Sequence, residues 1–130
     1  MRDAEERTRL TKAELFVTEA LFDAVADLSD DAYCDGRDAE GMIAGKFFCD
    51  GGGLYAITAG ICPGTDGAVG WFRASAGGVE MTAEDIARHC ELFGTDKAFA
   101  IMVDIEELSL AIYAVENGTA RRITPAILEG

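Results

Sequence analysis

The chain has 130 residues, 49% of them hydrophobic, with 24 acidic and 11 basic side chains and a formal net charge of −13. This length and apolar content suit one compact domain with its own core and exclude a disordered chain. The acidic balance excludes a surface built to neutralise nucleic-acid phosphates.

Met1-Arg2-Asp3-Ala4-Glu5-Glu6 is too charged for a signal peptide. Residues 1–10 alternate charges without a face, so residues 1–11 are expected to be a flexible N-terminal segment. Thr11 and Glu14 have capping-box spacing, which predicts a helix over 11–30 with Leu15, Leu21, Phe22, Val25 and Leu28 as its apolar stripe. Residues 30–40 are polar and loop-like. Strands are expected over 41–49 and 54–62, joined by a hairpin at Asp50-Gly51-Gly52-Gly53. After a turn at Cys62-Pro63-Gly64, residues 68–72 give a third strand, leading into Trp71-Phe72-Arg73-Ala74-Ser75-Ala76-Gly77-Gly78.

Thr82 is suited to cap a helix over 83–93, with Glu84 and Asp85 in its first turn and Gly94 as its stop. The apolar run 98–104 predicts a central strand. Residues 108–124 read as two strands about an Asn117-Gly118 turn. Residues 125–130 are expected as a short helix or a loose C-terminal tail. The order implies an α+β domain, an antiparallel-rich mixed sheet flanked by helices. No stretch approaches the roughly 18 apolar residues of a membrane span. Cys34, Cys49, Cys62 and Cys90 contain no CxxC pair, and reduced thiols in a cytoplasmic protein are expected.

His89 is the single histidine, which restricts the chemistry on offer. A Ser–His–Asp triad would have to use it, and nothing places Ser29, Ser75 or Ser109 beside it. The glycine clusters lack the GKS/T of a phosphate-binding loop. Asp85 and His89, four apart on one helix face, could start a metal site only if Asp38, Glu40 or a cysteine completed it.

The run Gly70-Trp71-Phe72-Arg73-Ala74-Ser75-Ala76, followed by Thr82-Ala83-Glu84-Asp85, resembles the signature of the MPN/JAMM (JAB/Mov34) domains. Active members carry Trp-aromatic-His-Ser-His-Pro and then Ser-x-x-Asp opening a helix. Asp38-Ala39-Glu40-Gly41-Met42-Ile43-Ala44-Gly45 is similar to the family's Glu-x-x-Gly strand. The resemblance spans 12–124 and implies a single domain of MPN/JAMM-like, cytidine-deaminase-like architecture. It places Arg73 and Ser75 where the zinc-binding histidines stand, Ala74 and Ala76 at the serine and proline, and Asp38 at the catalytic glutamate. Asp85 alone matches a zinc ligand, Thr82 stands for the serine, and the gap between Ser75 and Thr82 is a residue short.

A permanent guanidinium where the metal should sit, and a neutral hydroxyl for an imidazole, leave no tight zinc site. An Arg73–Asp85 ion pair is the predicted occupant of the vacated site, with Asp38 and Glu40 nearby. The resemblance therefore implies a catalytically inactive module without cofactor, working through a protein partner or another copy of itself, with Trp71 and Phe72 as a candidate surface. Nucleic acid and membrane are not expected partners. Two alternatives remain open: a divergent zinc-dependent peptidase or isopeptidase with a relocated site at Asp38, Asp85 and His89, and a small-molecule site in the vestigial cleft by Gly77-Gly78.

Overall fold

The computed structural model describes residues 14–51, 53–107 and 109–129. In chain order the elements are β1 (Leu15–Thr18), α1 (Glu19–Cys34), β2 (Ala39–Asp50), β3 (Gly53–Cys62), β4 (Ala68–Ser75), α2 (Ala83–Phe93), β5 (Ala98–Asp104), β6 (Ser109–Glu116), β7 (Thr119–Ile123) and β8 (Ala126–Leu128). The strands form one mixed sheet in the order β7-β6-β5-β4-β2-β3-β1-β8. Four neighbouring pairs are antiparallel and three, β4 with β5 and β1 with both β3 and β8, are parallel. The chain is thus an α+β domain dominated by its sheet.

Three stretches differ from the sequence expectation. Of the loop expected over 30–40, residues 30–34 continue α1 to Cys34, and Ala39 and Glu40 already belong to β2. Leu15–Thr18 is a strand, not the first turn of a helix: Leu15 and Val17 are buried at period two, and Leu15 pairs with Ala56 of β3. Thr18 is the actual helix cap, its hydroxyl accepting from the Leu21 N–H at 3.2 Å. Thr11, proposed as that cap, lies outside the described residues. At the other end, Ala126–Leu128 is neither helix nor loose tail but runs parallel to β1, pairing Val17 with Ile127.

This last strand makes the sheet curl almost onto itself. β7 and β8 lie at opposite ends of the strand order, yet only Thr124 and Pro125 connect them. Two linking residues reach at most about 10 Å, so the sheet's two edges must approach each other. Glu14, just before β1, fastens that approach: its carboxylate accepts from both Arg121 of β7, one bond at 2.8 Å, and Lys97 before β5.

Local turn chemistry sets the hairpins. Asp50 pairs with Gly53, and Gly53 takes φ +105°. Asn117 and Gly118 both take positive φ, 53° and 74°, the two-residue turn whose twist suits antiparallel strands.

Alternation along each strand divides the interior in two. One core joins Leu21 and Val25 of α1 to Ile43, Phe72, Phe99, Ile101 and Ile112. The other gathers Met42, Trp71, Met102 and Tyr113, with Leu92 and Phe93 of α2 packed against it. β4 lies between them, so Trp71 and Phe72, at 1% and 0% exposure, point into opposite cores. They form no interaction surface, which corrects that expectation: in a central strand both faces are covered.

Candidate functional site

β4 and β5 are parallel neighbours joined through α2, and the crevice beyond the carboxyl ends of such strands is where α/β sheets commonly bind ligands. Trp71, Arg73 and Ser75 alternate onto the α2 side of β4. Facing them on α2 are Asp85 and His89, its two buried residues. A step of two strand residues is about 6.6 Å and a step of four helix residues about 6 Å, so two contacts fall into register. Arg73 meets Asp85 and Trp71 meets His89.

The upper contact is a two-pronged ion pair. Arg73 donates from Nε to Asp85 Oδ1 at 2.8 Å and from Nη2 to Oδ2 at 3.0 Å. Arg73 Nη1 also donates to Ser75 Oγ, and Nη2 to the Glu80 carbonyl at 3.5 Å. Asp85 is held from its own helix as well: Thr82 donates to Oδ2 from its backbone N–H at 2.9 Å and its hydroxyl at 3.1 Å. In return Thr82 Oγ1 accepts from the Asp85 N–H, which closes a capping box. Burial alone would raise the Asp85 carboxyl, but the Thr82 and Arg73 donors outweigh it and hold it below the usual carboxylate range.

The lower contact is neutral. Trp71 Nε1 donates to His89 Nδ1 at 3.1 Å, which assigns the ring proton to Nε2. Burial lowers the imidazole to about 4, so it is uncharged at neutral pH. Among the described residues, buried His89 Nε2 has no hydrogen-bond partner, and the ring packs against Phe93 with centroids 5.1 Å apart.

Glu40 is the register partner of Arg73 in β2 but turns to α2, accepting from Arg88 at 2.8 Å. Asp38 is exposed on the loop after α1 and lines a cleft with Tyr33, Arg37, Ala76 and Glu106. The structure therefore brings Arg73, Ser75, Thr82 and Asp85 into one hydrogen-bonded cluster and sets Glu40 in an ion pair of its own. It does not gather Asp38, Asp85 and His89: among the described residues, no three His, Cys, Asp or Glu side chains are placed to hold a metal ion.

The donor set does not fit zinc. Both Asp85 oxygens are engaged by N–H and O–H donors, and Arg73 places its fixed positive charge where a cation would bind. Sequence reasoning missed the Trp71–His89 bond. Its signal was available: once residues 73 and 85 are paired, the residue two back on the strand must face the residue four on along the helix.

No protein-family model matches the chain, and no curated protein matches it. Among solved structures it is similar to the solution structure of protein DSY2949 from Desulfitobacterium hafniense, at 12% identity and a TM-score of 0.61, covering 89% of this chain and 92% of that one. The likeness is one of fold. No helix among the described residues is long and apolar enough to cross a membrane.

Proposed function

We propose that the chain is a catalytically silent domain of MPN/JAMM type that serves as a protein-interaction or scaffold module. One observation carries the reading: the guanidinium of Arg73 closes on Asp85 through two N–H donors where active members of that family would hold a metal. Ser75 supports it, because its hydroxyl serves as an acceptor for the same guanidinium instead of a metal ligand. The cluster is an electrostatically complete unit with no nucleophile or general base free to act. An enzyme that kept the reaction would need a water-activating centre, and this one is filled by an organic cation.

The test is a reversal. Because Arg73 touches both Ser75 and Asp85, the three positions converge on one point. Arg73→His with Ser75→His would set two imidazoles beside Asp85, the three-ligand set of an open zinc site. The folded double variant is expected to take up close to one zinc per chain. If it folds and takes none, the site is not a vacated metal centre.

A further inference from the structure

We infer that the groove between α1 and the β5–β6 edge of the first core docks a basic segment of a partner protein, anchored by one bulky apolar side chain. The inference deepens the reading of the chain as an interaction module by naming the surface and the chemistry it would receive.

The groove is a cleft of about 210 Å³ whose apolar lining comes from Phe22, Val25 and Ala26 of α1 and from Val103, Ile105 and Leu110 opposite. A cavity of about 150 Å³ admits benzene, so this one has room for a single large side chain. Leu110 is left 41% exposed at its rim. Ile105 also lines the polar cleft holding Tyr33, Asp38, Glu106 and Arg37, whose charge is matched by Asp35 at 3.3 Å, so the two clefts adjoin along one face of α1.

Charge selects the occupant. α1 carries Glu19, Asp23, Asp27, Asp30 and Asp31 and no basic residue. Glu19, Asp23, Ala26, Asp30 and Tyr33 follow at steps of four and three, a single row along the helix that includes two of the groove's lining residues. Across from α1, beside the lining residue Ile105, Glu106 is exposed and lines the adjoining cleft, its N–H bonded to Asp104 Oδ1 at 2.9 Å. An apolar slot with exposed carboxylates along α1 and Glu106 beside its far wall would repel an acidic partner and a second copy of this chain, whose net charge is −13. It complements lysines or arginines flanking a leucine, methionine or phenylalanine: the charges steer the approach and the apolar anchor supplies the specificity.

The full chain is titrated, by fluorescence anisotropy, into a fluorescein-labelled peptide of lysine and leucine at helical spacing, and into a peptide of equal charge with glutamine for leucine. The leucine peptide is expected to bind about tenfold more tightly. Ala26→Trp, which fills the slot, and Leu110→Gln, which removes an exposed rim contact, should each abolish that preference while leaving weak, salt-sensitive binding. Equal affinity for both peptides, or a preference that survives both substitutions, overturns the inference. Should Ala26→Trp unfold the chain, Leu110→Gln decides. A negative result in a zinc-free protein strikes the groove alone, whereas zinc uptake by the wild-type chain strikes the silent-site reading and leaves the groove result standing.

Discussion

Arg73 and Asp85 lie twelve residues apart, one on a central strand and one in the first turn of a helix, and meet through parallel bonds of 2.8 and 3.0 Å. The pair does structural work whatever its history. Asp85 both caps α2 through Thr82 and receives Arg73, so one carboxylate joins the helix start to the sheet. With the Trp71–His89 bond one helical turn below, it fixes α2 against β4 at two points.

Replacing Arg73 by Ala leaves the Asp85 carboxylate largely buried with only the Thr82 donors. The expected loss is about 2 kcal/mol, since a half-closed pair retains part of its hydrogen bonding. Arg73→Lys should lose about half as much, because an ammonium cannot repeat the two-pronged geometry. A double-mutant cycle in urea with Arg73→Ala and Asp85→Ala should give a coupling of about 1–2 kcal/mol. Additive losses would mean that the pair contributes nothing beyond its two separate side chains.

His89 predicts an acid dependence with a defined window. Burial lowers its folded value from 6.5 to about 4, so between those values the unfolded chain binds a proton that the native state refuses. Stability is complete above the unfolded value and falls as pH drops toward the folded one, by about 2 kcal/mol near pH 5. Urea melts of the wild type should show this slope and His89→Phe should lose it. Glu14 acts lower: Arg121 first, with Lys97, outweighs burial to hold it at about 2, so its contribution is full above its ordinary 4.5 and lost only below. A slope that persists in His89→Phe over the upper window would assign the effect to another group.

Gly70 precedes the site and has no room for a side chain. A Cβ there would lie 2.3 Å from the Phe99 carbonyl oxygen and 2.9 Å from its carbon. Both are backbone atoms of the paired strand β5 and cannot swing away. Gly70→Ala should therefore part β4 from β5, cost roughly 3 kcal/mol or more, and lower the thermal midpoint sharply. Gly64→Ala, in open space, is the control and should change little.

What the sequence disclosed was set by how local each signal is. The α2 boundaries follow from Thr82 and Gly94, and β5 from an unbroken apolar run, so both are found where expected. The helix before Cys34 illustrates the reverse. Leu15, Leu21, Phe22, Val25 and Leu28 fit a helical period, but Leu15 is drawn into a strand by Ala56, 41 positions on, and Leu28 is 39% exposed. β8 is similarly made by a distant partner. At the site, the family resemblance set Arg73 and Asp85 at one place and their opposite charges then made them a pair, whereas neither the resemblance nor charge named Trp71 as the partner of His89.

The central claim is that the cluster around Asp85 is closed to metal. Its most direct test is the zinc content of the untagged wild-type chain, measured by elemental mass spectrometry after exposure to stoichiometric zinc and gel filtration. A value near zero is predicted. About one zinc per chain would contradict the account, because no ion can share Asp85 with Arg73 as the two are now joined.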